Sequence, residues 1–384
     1  MTSQRTAVAA RLAELRRRLA AEGAAACLSV DPDNQTYLAG FRALVYSRPI
    51  LLLVDAERST LIVPELEQEH ARGRAAVDEV RSYRERPGDA ATAPLPLLAA
   101  LLDGLPEGAA IAVEGERIPL ALAEEIQRRG HRLAPFDGVL RRQRVVKDAT
   151  ELAAIRAAGE LVGVGVAASL AACRPGVSEL AAEAAGNGAI LERAAALGPD
   201  TTVELFGMTP SGAHRTTLPH VFSTGRPIAP GDVIIHTRQV ALDGYRAELE
   251  RTLLVGEPSA EQARAFTTIY DAQQAAIAAV APGVPARAVD AAARAVIERA
   301  GYGDFAIHRS GHGIGVSVHE HPHLRFDNDE PLEPGMAITV EPGIYVPGLG
   351  GFRHSDTLVV TDAGSELVTE HPRSLEAMTI EVDA

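Results

Sequence analysis

The sequence predicts an α/β protein in two parts: a small N-terminal α/β domain over residues 1–145 and a larger domain over residues 146–384 with a pseudo-two-fold internal repeat. Three observations carry this reading. Short apolar or β-branched runs alternate with helical stretches as far as Arg144. A long run of small and apolar residues follows Asp148-Ala-Thr150-Glu151 and ends before Pro175-Gly176. Finally, Pro227-Ile-Ala-Pro230-Gly231-Asp-Val-Ile-Ile is similar to Pro331-Leu-Glu-Pro334-Gly335-Met-Ala-Ile-Thr.

The elements follow in order. Residues 1–20 carry arginines throughout and read as an amphipathic helix. Residues 25–30, 50–55 and 59–63 are apolar or β-branched runs bounded by Asp, Pro and Asn, which predicts strands. A short helix is expected over 97–102, after Pro94 and Pro96, and a strand over 109–113. Residues 118–129 read as a helix that tolerates Pro119 in its first turn. The long helix runs to Ala172, with Thr150 expected as its cap. Each copy of the repeat leads into a Gly-aromatic-Arg step, Gly244-Tyr245-Arg246 or Gly351-Phe352-Arg353, and then into a strand over 249–255 or 357–360. Thr237 and Glu341 each lie six residues after the glycine of their Pro-Gly pair, so they should face one cleft from opposite halves.

Composition excludes several classes. Hydrophobic residues at 46% and charged residues at 23% describe an ordinary globular chain. A net charge of -14 without a basic stripe argues against nucleic-acid and anionic-membrane partners. Cys27 and Cys173 cannot build a disulfide framework, so a cytoplasmic location is expected. Without an uninterrupted apolar run of about 18 residues, neither a membrane span nor a secretory leader is expected.

The chemistry concentrates in the second part. His312-Gly-Ile-Gly-Val-Ser-Val-His319 sets two histidines behind a glycine turn, and Val340-Glu341-Pro342-Gly343 sets a glutamate in an apolar run. That is hydrolase chemistry. Strand alternation puts Glu248 and Glu250 on one face, with Tyr245, Leu249 and Arg251 on the other. Two acids on one face, with Glu341 opposite, need a balancing metal, protonated histidine or cationic substrate group, or one must stay protonated. His236 alternates away from Thr237, and His354 away from Ser355, so both read as structural; His321 and His323 read as loop histidines.

These motifs resemble the active-site signature of the pita-bread family, which includes aminopeptidase P, prolidase, methionine aminopeptidase and creatinase, and the likeness covers nearly the whole chain. It implies a creatinase-like N-terminal domain followed by a pita-bread catalytic domain. His312 matches a metal-binding histidine, His308 and His319 match histidines that contact substrate, and Glu341 matches a glutamate ligand. Glu248 stands for an aspartate ligand, Thr237 for a bridging aspartate and Ser355 for a bridging glutamate. Two ions bring four positive charges, and only two of the family's four carboxylates remain. The resemblance therefore implies no cofactor, with one divalent ion (zinc, manganese or cobalt) at Glu248, His312 and Glu341 as the alternative.

Creatinase supplies a metal-free pattern within the family. On that resemblance His220, in Leu218-Pro-His220-Val, is the general acid and base. Glu250 and Glu341 hold a cationic group of the substrate, and Tyr46-Ser47-Arg48 holds its carboxylate. His323 and Arg325 sit near the place of a second arginine, while Arg251 and Arg353 would orient the carboxylates. The reading expected is a metal-independent creatinase-like hydrolase cleaving a C–N bond in a small carboxylate-bearing substrate. His220, Glu250, Glu341 and His312 would be catalytic. Tyr46, Arg48, His308, His319 and Arg353 would bind substrate, in a homodimer that shares its sites between subunits. The alternatives are a single-metal Xaa-Pro aminopeptidase or dipeptidase, and a catalytically inactive binding protein of the same fold. Metal content separates the metal-independent reading from the single-metal peptidase.

Overall fold

A computed structural model describes residues 2–42, 44–86 and 94–382. Met1, the first residue of the expected opening helix, lies outside them. The chain divides into two compact units, Met1–Arg144 and Val145–Ala384.

In the N-terminal unit, β1 (Ala24–Ser29), β2 (Leu51–Asp55), β3 (Ser59–Pro64), β4 (Glu79–Tyr83), β5 (Ala110–Val113) and β6 (Arg132–Pro135) form one mixed sheet, ordered β4-β3-β2-β1-β5-β6. The unbroken apolar run Leu51–Val54 is buried on both faces, as expected of a strand covered on both sides. Leu28, Leu53, Ile62, Leu98, Ile111 and Ile126 make the core on one side, each contributing about 1.5–3 kcal/mol by burial. The opening helix spans Thr2–Ala21 and packs against β1. Pro119 is not inside the helix that follows it: it is the N-cap, and the helix is Leu120–Arg128.

In the C-terminal unit, the long helix Ala149–Ala172 is capped by Asp148 and not by Thr150. The Asp148 carboxylate accepts from the N–H groups of Thr150 (2.8 Å) and Glu151 (2.9 Å), and Glu151 reaches back to the Asp148 N–H (2.9 Å). A carboxylate suits the positive end of the helix dipole better than a hydroxyl does. By length and composition this helix could cross a membrane. It packs instead on the strands described next, as the central helix of the unit.

The main sheet contains β7 (Val203–Met208), β8 (Val233–Leu242), β9 (Tyr245–Val255), β10 (Gly311–Gly313), β11 (Glu320–Leu324), β12 (Ala337–Val340) and β15 (Ser355–Thr361). Its order is β11-β10-β12-β15-β9-β8-β7. The β13 (Gly343–Val346) and β14 (Gly350–Arg353) hairpin lies apart, while β16 (Gly364–Leu367) and β17 (Thr379–Ile380) pair with β15 and β9. The repeat is now visible as symmetry. Helices Ala149–Ala172 and Glu179–Ala195 precede β7-β8-β9, and helices Ala260–Ala278 and Ala286–Arg299 precede β10-β12-β15. The halves meet where β9 pairs with β15, with Glu250 opposite Ser355. Between sheet and helices lies one core that includes Val162, Leu249, Phe266, Ile269, Val289, Ile338 and Leu358.

Candidate metal centre and catalytic cleft

The strand pairing builds the site. In the β8–β9 register Gln239 stands opposite Glu248 and Thr237 opposite Glu250. Gln239 Nε2 donates to Glu248 Oε2 (2.7 Å), and the Ser355 hydroxyl donates to Glu248 Oε1 (2.8 Å). The Thr237 hydroxyl donates to Glu250 Oε1 (2.7 Å) and accepts from Arg353 Nη2 (2.9 Å). Arg353 grips Glu250 with two nitrogens, Nε to Oε2 at 2.6 Å and Nη2 to Oε1 at 2.8 Å. Its Nη1 donates to the Tyr345 hydroxyl (3.0 Å) and to the Pro219 carbonyl (3.3 Å).

From the other half, β10 brings His312 and the end of β12 brings Glu341, whose N–H donates to the Ser310 carbonyl (2.8 Å). Strand β10 reads Gly-His-Gly because the backbone closes tightly there. A Cβ on Gly311 would lie 2.1 Å from the Thr339 carbonyl oxygen, and one on Gly313 would lie 2.1 Å from that of His321. His312 Nδ1 lies 2.9 Å from the Gly313 carbonyl, which can only accept, so Nδ1 carries the proton. Nε2 then presents a lone pair. It is buried without a hydrogen-bond partner and lies 3.3 Å from Glu341 Oε1, another acceptor. Burial holds the His312 pKa down to about 3, so near neutrality the lone pair is met either by a proton on Glu341, whose carboxyl is raised, or by a cation.

With Glu341 ionised, two acceptors face each other and call for a cation. Ligand atoms of Glu248, His312 and Glu341 all lie within 4.8 Å of one another. Burial raises the Glu248 carboxyl, and burial with the Glu248 and Glu250 charges pushes Glu341 well above the usual range. Ionised together, Glu248, Glu250 and Glu341 outnumber the nearby guanidinium groups of Arg353 and Arg309, an excess of negative charge that a divalent ion would offset. The residues present fit that ion, with three protein ligands. They do not fit a second one. The Thr237 hydroxyl is committed between Glu250 and Arg353, the Ser355 hydroxyl is committed to Glu248, and Arg353 itself occupies Glu250.

The cleft beside this centre encloses about 510 Å³ and is lined by Pro219, His220, Ile307, His308, Arg309, His319, Arg325, Glu341 and Arg353. Of the residues named from sequence, His220, His308, His319, Glu341 and Arg353 do converge here. His220 and His319 are exposed, and the His319 ring lies 4.1 Å from that of His312. Several expectations need correction. His308 has no free nitrogen for a substrate: Nδ1 donates to the Arg309 carbonyl (2.7 Å), and Nε2 accepts from Tyr345 (2.9 Å). Glu250 does not line the cleft, because Arg353 and Thr237 hold its carboxylate. Arg251 orients no site carboxylate; it lies on the opposite sheet face with Asp356 at 3.0 Å, both fully buried. Tyr46 and Arg48, expected to serve a partner subunit's site, belong to the N-terminal unit, where Tyr46 is exposed and Arg48 pairs with Glu85 at 2.7 Å; a single chain does not test that expectation. Sequence reasoning missed Tyr345, Gln239 and Arg309. Only Gln239 had a signal: it lies two residues from Thr237, on the same strand face.

Behind the site, His236 shares a hydrogen bond with Thr209 (3.0 Å), and His354 packs edge-on against Phe266 with both nitrogens unpartnered. Burial lowers both pKa values well below the ordinary 6.5. A depressed histidine contributes stability that is present above its unfolded pKa and lost as pH falls. Wild type should therefore lose stability relative to His354→Phe as pH drops from 7.5 to 5. Urea midpoints of the two proteins measure this, and their difference cancels the site carboxylates. A difference that does not change with pH would place a charged imidazole in the core.

Comparison with known proteins completes the picture. The model for metallopeptidase family M24 matches residues 153–362, and that for the creatinase/prolidase N-terminal domain matches residues 11–146. The chain is 32% identical to a putative dipeptidase, YkvY, of Bacillus subtilis, over 89% of this chain and 93% of that one. It is 29% identical to an Xaa-Pro dipeptidase of Pyrococcus furiosus, over 84% of this chain and 88% of that one. Among solved structures it resembles dipeptidase PepE from Mycobacterium ulcerans, with 33% identity, TM-score 0.84, and coverage of 98% of this chain and 99% of that chain. These relatives overturn the metal-independent creatinase-like reading: they carry peptidase names within a metallopeptidase family, and the lone pair of His312 facing Glu341 is what a cation would satisfy. The chain, with its creatinase/prolidase N-terminal domain, belongs to metallopeptidase family M24.

Proposed function

We propose that the protein is a single-ion dipeptidase of the Xaa-Pro class, cleaving the amide bond of short peptides. The observation that carries this is the triad Glu248, His312 and Glu341, with one imidazole nitrogen left without a partner among them. The dipeptidase names of the relatives support the substrate class. When bound there, a divalent ion supplies Lewis-acid polarisation and a water acidified to near neutrality. The chain's own residues do the rest. Gly313 fixes the His312 tautomer, and Gln239 and Ser355 orient Glu248, as outer hydrogen bonds do at metal sites. The Arg353–Tyr345–His308 chain holds the cleft wall and the Pro219 carbonyl. Among the described residues the His319 ring makes no hydrogen bond, so beside His312 it can donate to a carbonyl oxygen, while the exposed His220 can pass a proton to the leaving nitrogen.

The test uses protein stripped by chelator, reloaded with manganese, cobalt or zinc, and offered Xaa-Pro dipeptides beside guanidino and ureido acids. Dipeptide cleavage that needs metal, with about one ion per chain by emission spectrometry, is expected from the three-ligand site. Turnover in chelator, or preference for guanidino acids, would overturn the proposal.

A further inference from the structure

His220 lines the cleft, but among the described residues its ring makes no hydrogen bond. Burial does not fix it either: Leu218, His220 and Phe222 are exposed, although Phe222 meets Phe206 edge-on. Its place must come from the backbone that carries it. The Pro219 carbonyl, one residue before, accepts from Arg353 Nη1 (3.3 Å), and the Phe222 carbonyl, two residues after, accepts from Arg215 Nη2 (2.8 Å). Among the described residues no other side chain donates to the backbone of residues 218–222.

Arg215 is mounted on a carboxylate that the rest of this segment also grips. Glu179 is fully buried, at the start of helix Glu179–Ala195. Its Oε1 accepts from the Ser211 N–H (2.8 Å), the Ser211 hydroxyl (2.7 Å) and Arg215 Nε (3.1 Å). Its Oε2 accepts from Arg215 Nη2 (3.0 Å), the Thr224 N–H (2.8 Å) and the Thr224 hydroxyl (3.0 Å). Both ends of the segment, Ser211 and Thr224, converge on one carboxylate, and Arg215 passes that fixed point on to the turn between them. A bidentate guanidinium–carboxylate pair adds geometric precision to its energy.

The other half of the unit repeats the device. Pro175-Gly176-Val177 and Pro282-Gly283-Val284 lead into equivalent helices, Glu179–Ala195 and Ala286–Arg299. On the second helix, the buried Asp290 accepts from the Ser310 N–H (3.0 Å), the Ser310 hydroxyl (2.7 Å) and Arg294 Nε (2.7 Å). Arg294 Nη2 then donates to the His308 carbonyl (2.8 Å). In each half an acid, a serine and an arginine grip a backbone carbonyl at or beside a cleft histidine. That recurrence ties the device to the site.

We propose that Arg215, seated on Glu179, is a positioning residue: it holds the turn that carries His220 where His220 can pass a proton to the leaving nitrogen. This rests on the proton transfer assigned to His220 above. On metal-loaded protein with an Xaa-Pro dipeptide, Arg215→Met should lower kcat by about 10- to 100-fold, the scale of a misplaced catalytic group, with KM and metal content little changed. A double-mutant cycle separates positioning from general damage. Acting through His220, Arg215→Met should cost less than about twofold more once His220→Ala is in place. Equal losses in the two backgrounds would overturn the proposal. Equal turnover of His220→Ala and wild type would instead reject proton transfer by His220, and the positioning role with it. Arg215→Met leaves the buried Glu179 without its cation, so Arg215→Lys is the companion that keeps the charge and loses the fork. Its kcat should fall between, and its loss should vanish in the same way with His220→Ala. A readout independent of turnover is chymotrypsin cutting after Phe222 in the folded protein. Loss of the hydrogen bond to the Phe222 carbonyl should speed that cut by about 10-fold in Arg215→Met. Equal rates would show that Arg215 does not hold the turn, and this arm decides the clamp even where no dipeptide is cleaved.

Discussion

His312→Ala protein is expected to purify without its divalent ion and to lose at least about 10³-fold in kcat. Among the described residues only Glu248, His312 and Glu341 form such a ligand group, and His312 is the single nitrogen among them. Removing one of three ligands leaves two carboxylates on an ion that needs a fixed, open coordination shell. The Lewis-acid contribution is several kcal/mol of transition-state stabilisation, and each 1.36 kcal/mol is about tenfold in rate. Because His312 is fully buried, Glu341→Gln is the companion variant, closer in shape and more certain to fold. It should lose metal and activity to a similar degree, and it has a second signature. The raised pKa of Glu341 means that its ionised form is costly without a cation, a cost that grows as pH rises through that pKa. In chelator at pH 8, Glu341→Gln should therefore melt higher than wild type, and added zinc should no longer raise its melting temperature. Metal analysis with thermal melts tests both. Full turnover by either variant would remove this triad from the chemistry.

The fold was legible where pattern and burial agree. The run Leu51–Val54 is apolar at every position and is a covered strand. The two Pro-Gly segments are repeat-related and lead into the equivalent strands β8 and β12. Alternation along β9 put Glu248 and Glu250 on one face, and the structure keeps them there. The three-residue strand β10 had no strand signal, because Gly-His-Gly has low β-propensity. It pairs because its glycines let β12 and the His321 segment come close. In the site, ligand types could be read from motifs but partners could not. Arg353, expected to orient the carboxylates, does hold Glu250, but that Thr237 joins the clamp depends on β8, β9 and β14 converging, and no spacing encodes this. The same holds for Tyr345, whose hydroxyl joins Arg353 to His308 across elements far apart in sequence. Arg48, expected as a substrate anchor shared with a partner subunit, pairs within its own chain with Glu85, 37 positions later, an exposed contact that no local pattern encodes.

Arg353→Met should destabilise the protein by about 3–5 kcal/mol, the cost of orphaning one partner of a buried ion pair. The pair is nearly solvent-free, with side-chain exposures of 5% and 3%, so screening by water does not reduce the effect. Without the guanidinium, Glu250 keeps only the Thr237 hydroxyl, while the charges of Glu248 and Glu341 remain nearby. For a unit of this size the loss corresponds to a melting temperature lower by about 10 °C. Two further measurements identify the cause. Glu250→Gln added to Arg353→Met should recover most of the loss, since it removes the orphaned charge and nearly keeps the shape. The deficit of the single variant should also shrink as pH falls. In that variant the Glu250 carboxyl is raised further above its unfolded value, so its stability contribution is present at low pH and lost as pH rises. The buried histidines oppose this trend equally in both proteins and cancel in the difference. A deficit below about 1 kcal/mol, typical of an exposed ion pair, would mean that Glu250 is already protonated in wild type. Arg353 would then balance Glu248 and Glu341 instead, and the cluster would have less need of a divalent ion. The stability of Arg353→Met therefore also bears on the charge count that favours one ion in this site.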